Sequence, residues 1–158
     1  MENYQVHQKQ FSNICVIEIA YNPPFKISNL PLANSSSELY SILQDNWNLN
    51  QPSLREEFKI ILLNTKLRIL GISTIAVGGT SSVAIDNKLI FSTALLANAR
   101  GIILAHNHPS GNLKPSQTDI KITNRIIEGA NLLDLEVFDH IIITKDNGYY
   151  SFADEGML

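Results

Sequence analysis

The sequence predicts an α/β fold in which a mixed β-sheet is flanked by helices. Three observations lead there. Short apolar runs that read as strands alternate with capped, amphipathic stretches that read as helices. A helix delivers the chain to the apolar run at 102–105, as connections in an α/β sheet do. With 158 residues, 44% of them hydrophobic, the chain makes one ordinary domain with a substantial core.

In chain order, residues 1–10 are a polar start in which His7 reads as a surface histidine. Residues 14–21 read as a strand with Cys15, Ile17 and Ile19 on one face, which makes Cys15 a small core residue and not a nucleophile. Asn22, Pro23 and Pro24 turn the chain. Ser35 followed by Glu38 is a capping-box signal for a helix that points Leu39, Ile42 and Leu43 inward and ends near Trp47. A loop at 48–52 follows. Residues 1–52 are accordingly expected to form an N-terminal extension packed on the same domain, and residues 53–158 its core.

Residues 55–64 read as a strand. Side chains two apart share a face, so Glu56 lies with Phe58, Ile60 and Leu62, whereas Glu57 lies with Lys59, Ile61 and Leu63. Glu56 is the better candidate for a buried acid, because apolar neighbours favour its neutral form and move its pKa towards the range of a general base. Glu57 is the reserve choice. A polar turn at 64–66 leads to a partnered strand at 68–77. Gly78, Gly79 and Thr80 lack the spacing and following lysine of a phosphate-binding loop and read as a turn or a close backbone approach. Val83 and Ile85 suggest a short strand. Asp86 caps a helix carrying Leu89, Ile90 and Ala94, with Leu95 and Ala97 beyond them, and Gly101 ends it.

Residues 101–119, GIILAHNHPSGNLKPSQTD, carry the chemistry. On a strand, His106 and His108 project side by side. Pro109 to Asn112 break the strand, and Ser116 caps a helix with Asp119 three residues on. At about 100° per residue, Asp119 shares the apolar sector of Ile122, Ile126, Ala130 and Leu133, so it faces the core and needs a strong partner. Two neutral imidazoles and one carboxylate form a three-ligand set suited to one zinc ion, with a fourth position left for water. Residues 135–144 then read as a strand with Asp139 and His140. His140 is read as an ordinary strand histidine, the alternative being an outer partner of the metal histidines. Asp146, Asn147 and Gly148 make a hairpin turn into a last strand at 149–152.

The net charge of −3 and pI near 5.7 disfavour a large electrostatic footprint for nucleic acid, although a local patch is compatible with them. A single cysteine excludes an internal disulfide and a cysteine-rich metal site. The start MENYQVHQKQ has no apolar h-region, and no apolar run approaches the ~18 residues of a membrane span, so the expectation is a cytoplasmic protein without a membrane partner.

His106-x-His108-Pro109, six residues, then Ser116-x-x-Asp119 resembles the signature of the JAMM (MPN+) zinc metallopeptidases, and HNHPSGNLKPSQTD resembles its RadC-like bacterial branch. The similarity runs from about residue 55 to 158 and includes FDHIII and YYSFADEG. It implies a JAB/MPN-like fold with cytidine-deaminase-like layering. It also implies hydrolysis of a peptide or isopeptide amide in a protein or peptide substrate, with zinc held by His106, His108 and Asp119. Glu56 would activate the water and Ser116 would stabilise the oxyanion, in competition with its capping role. A zinc nucleobase deaminase fails on cysteine count. Two alternatives remain: a DNA-repair-associated protein acting on or near DNA, and a catalytically silent MPN-type module that binds protein. The string His106-Asn107-His108 is not the dispersed constellation of a His-Asn-His nuclease.

Overall fold

The computed structural model describes residues 24, 26–47, 55–79 and 83–158. The predicted strand at 14–21 with Cys15, the polar start with His7, the loop at 48–52 and Thr80 lie outside them. Among the described residues a 3-10 turn, Ile27–Asn29, precedes α1 (Ser36–Asn46), β1 (Glu57–Leu63), β2 (Ile69–Val77) and α2 (Asn87–Leu96). Strand β3 (Gly101–Asn107), α3 (Gln117–Asn131), β4 (Glu136–Ile143) and β5 (Tyr149–Ser151) complete the order.

The strands form one mixed sheet in the order β2-β1-β3-β4-β5. Only β3 and β4 pair in parallel, and α3 makes the crossover that parallel neighbours require. Alternation along the strands sends side chains to two cores. On one face Phe58, Ile60, Leu62, Ile102 and Leu104 pack against Ile90 and Ala94 of α2 and Ile126 and Ala130 of α3. On the other, Ile61, Leu63, Ile103, Ala105, Ile141 and Ile143 pack against Leu39, Leu43 and Trp47 of α1. The result is the expected α/β arrangement, a sheet between two helical layers. No helix among the described residues is long and apolar enough to cross a membrane.

Several local expectations need correction. Val83 and Ile85 form no strand: residues 83–86 are irregular, and the alternation reflects packing on the α2–α3 core and not pairing. Helix α2 stops at Leu96, and the turn out of it uses Asn98 in the left-handed region (φ 49°). Gly101 instead opens β3, where a Cβ would stand 2.2 Å from the Phe138 ring. Leu133 lies beyond α3 and is 39% exposed, so the apolar sector ends at Ala130. Ser35 caps α1 by accepting from the Glu38 N–H, while the Glu38 carboxylate takes its bond from Asn34.

Candidate metal centre

The β1–β3 ladder ends at the pair Phe58 and His106, while β3 stays with β4 through Asn107 and Ile143 and through a bond from the His108 N–H to the Ile143 carbonyl. Strand β3 thus parts from β1 beyond His106. The parting opens a cleft of about 480 Å³, lined by Glu56, His106, His108, Ser116 and Asp119, with Phe58, Val83, Ile85 and Ile122 as apolar wall.

Glu56 is held there by its main chain. The Gly78 N–H donates to the Glu56 carbonyl (2.7 Å) and the Glu56 N–H to the Gly79 carbonyl (2.9 Å), so the glycine pair prolongs the pairing of β2 with β1. On the other flank the Asn107 side chain extends the ladder that the backbone has left. Its Oδ1 accepts from the Glu57 N–H (2.7 Å) and its Nδ2 donates to the Arg55 carbonyl (2.9 Å). Glu57 leaves the cleft altogether: it pairs with Lys59 at 3.1 Å, whose ammonium sits over the Trp47 ring.

Three ligand atoms converge. His106 Nε2 and His108 Nε2 are 2.9 Å apart; Asp119 Oδ1 lies 3.5 Å from the first and Asp119 Oδ2 3.5 Å from the second. Helix α3 delivers Asp119 through a complete capping box: its Oδ2 accepts from the Ser116 N–H (2.7 Å), and its own N–H donates to Ser116 Oγ (3.1 Å). The Asn112 carbonyl, 2.5 Å from His108 Nδ1, can only accept, so that nitrogen carries a proton, and in the neutral ring the lone pair is on Nε2, which faces the cleft. One ligand atom from each of the three residues lies within 4.8 Å of the others, close enough for small side-chain adjustments to bring all three onto a common ion. Such a donor set fits a divalent metal ion.

Electrostatics agree with that fit at His106 and Asp119, whereas His108 is drawn towards its protonated form by Asp119. Burial pushes the His106 imidazole down to about 4, against the pull of Asp119, and keeps it neutral. Burial acts to lower His108 too, but hydrogen bonds to Asp119 and the Asn112 carbonyl, with the Asp119 and Glu56 charges, raise it above its ordinary value. Asp119, despite burial, is held well below the usual carboxylate range by His108, His106 and Ser116. Glu56 is raised, first by burial and then by the Asp119 charge, with His108 opposing.

All five sequence-predicted site residues therefore line one cleft, and Glu57 does not. The reading of His140 as an ordinary strand histidine is corrected by its place: it is fully buried, 2.8 Å from His106 Nδ1. Lone position on a strand gives no sign of this, because the contact depends on the β3–β4 register and its irregularity between Ile102 and Ile103. Asp139 points elsewhere and accepts from the His140 and Ala153 N–H groups and the Ser151 hydroxyl. Asn107 and Thr123 had no signal in the sequence.

A mixed sheet with a His-His-Asp cluster at the end of a central strand, able to hold a metal ion, is a JAB-like architecture. The chain belongs to the RadC-like JAB domain family, whose profile matches residues 33–157 and so takes in α1. It is 44% identical over 104 residues to a UPF0758 protein of Porphyromonas gingivalis, covering 66% of this chain and 46% of that one. A UPF0758 protein of Desulfitobacterium hafniense is 38% identical over 128 residues (81% and 55%), and one of Thermotoga maritima is 39% identical over 125 residues (79% and 54%). The chain spans about half the length of the curated relatives it matches.

Proposed function

We propose that this domain is a zinc-dependent metallopeptidase or isopeptidase that cleaves an amide bond in a protein or peptide substrate. The observation that carries the reading is the convergence of three ligand atoms on a cleft that also holds a half-buried glutamate with a raised pKa. Membership in a generally hydrolytic domain family supports it.

His106, His108 and Asp119 would hold the ion. Bound zinc supplies a Lewis acid and a water-derived nucleophile at neutral pH. Glu56 takes a proton from the attacking water and returns it to the leaving amine; its raised pKa makes it a stronger base than an exposed carboxylate. Ser116 is suited to the oxyanion. Its oxygen accepts the capping bond from Asp119, which leaves its own hydroxyl proton to donate, so the two roles do not compete. Phe58, Val83, Ile85 and Ile122 offer an apolar wall against which the substrate beside the scissile amide can pack.

The test is a panel of peptide-linked and isopeptide-linked substrates offered to zinc-loaded protein beside Glu56→Gln. Cleavage by the wild type, with turnover about 10²–10⁴-fold lower in Glu56→Gln at equal zinc content, is expected. Zinc-loaded protein inert across the panel, or a Glu56→Gln variant of undiminished activity, would contradict the reading and favour a binding module.

A further inference from the structure

A chain of hydrogen bonds behind the site has only one consistent direction. It starts at the main-chain carbonyl of Asp119, which can only accept, so the Thr123 hydroxyl, 2.6 Å away, must give its proton to it. That hydroxyl has no second proton. His140 Nδ1, 2.6 Å from the same oxygen, is therefore the donor there. His140 and His106 are 0% and 1% exposed, and loss of solvent disfavours a charged imidazolium, so each ring carries one proton. His140 Nε2 is then bare and accepts from His106 Nδ1 at 2.8 Å. By elimination His106 Nε2 has no proton, and it is this atom that faces His108 and Asp119.

We propose that Thr123 and His140 are positioning residues that lock His106 in the tautomer a metal ligand needs. The chain of bonds begins on Asp119 and ends on His106, so it also ties two of the three ligands together behind the site. The rings cannot turn away to relieve a fault: His140 stacks on Phe152 (centroids 4.7 Å apart) and meets the edge of Phe58 (5.7 Å). Removing the Thr123 hydroxyl would leave the His140 Nδ1–H without an acceptor. Moving that proton to Nε2 would reverse the chain and place a proton on His106 Nε2, where the metal belongs. The inference rests on the metal-site reading and not on any particular substrate.

The experiment measures zinc affinity by competition with a chelator on wild type, Thr123→Val and Thr123→Ser, and reads the ring nitrogens of His106 by ¹⁵N NMR in zinc-loaded and zinc-free wild type. Expected are Nδ1–H at His106 in both forms, with Nε2 unprotonated in the zinc-free protein and metal-bound in the loaded one, and zinc binding about 10–100-fold weaker in Thr123→Val. Thr123→Ser, which restores a hydroxyl, should return towards wild-type affinity. A purely structural threonine would lower the melting temperature of Thr123→Val without changing the affinity of its folded form. Equal affinity in folded Thr123→Val overturns the proposal, and so does an Nε2–H tautomer of His106 in the zinc-free wild type, a result that needs no variant to fold. Wild type that takes up no zinc overturns the metal-site reading itself, whereas tight wild-type binding with an indifferent Thr123 overturns this inference alone.

Discussion

Asp139 and His140 are neighbours on β4 that face opposite sides of the sheet, and the polar clusters they join end differently. Around Asp139 the protein supplies the partners itself: two backbone N–H groups donate to one carboxylate oxygen and the Ser151 hydroxyl to the other. Around His140 each proton is passed along until the chain runs out at two imidazole nitrogens and a carboxylate oxygen that face one another. The first cluster is finished and structural. The second leaves ligand atoms that could hold a cation, and that difference, more than the burial both share, marks a candidate site.

If the contrast is right, substitutions on the open side change chemistry with little effect on stability, and those on the closed side do the reverse. The largest effect is the loss of about 10²–10⁴-fold in turnover for Glu56→Gln, with the melting temperature nearly unchanged. Next comes Asp139→Ala, which strands two buried N–H donors and should cost about 2–4 kcal/mol in denaturant unfolding without altering zinc stoichiometry. Asp139→Asn retains acceptors for those donors and should cost less than about 1 kcal/mol. Burial holds the Asp139 carboxyl above its ordinary range despite its three hydrogen bonds. Its contribution to stability is therefore complete below the ordinary carboxylate pKa and declines as pH rises through the raised value, a decline absent from Asp139→Asn.

Asn107→Ala removes the amide that brackets Glu56. Loss of up to about 10²-fold in turnover is expected, accompanied by faster hydrogen exchange at the Glu57 N–H and unchanged zinc content. The pH dependence sharpens the assignment of the base. Activity should fall as pH drops through the Glu56 ionisation, and because that pKa is raised, the acid limb should lie above the ordinary glutamate value. Ser116→Ala is the modest case: loss of the cap should cost about 1 kcal/mol. A drop in turnover larger than that loss explains would separate its donor role from its capping role.

The site was legible where local periodicity decides direction. A spacing of two put His106 and His108 together, the 100° turn of a helix put Asp119 inward, and alternation along β1 chose Glu56 over Glu57. It was not legible where the answer depends on which strand lies beside which. His140 meets His106 only through the β3–β4 register, 34 residues apart in sequence. Asn107 acts because the β1–β3 ladder stops one residue before it, and Thr123 acts because its helix crosses over β4. The fold followed the same division. The strands and caps could be read from pattern, but Val83 and Ile85 mimicked a strand because alternation reports burial, and Gly101 mimicked a helix stop because the Phe138 ring that demands it is remote in sequence.

Whether the open cluster holds a metal ion is decided by elemental analysis of purified protein, wild type beside His108→Ala. About one zinc per wild-type chain and little in the variant are expected, with both proteins folded. Folded wild-type protein that binds no zinc when zinc is supplied would contradict the metal-site reading.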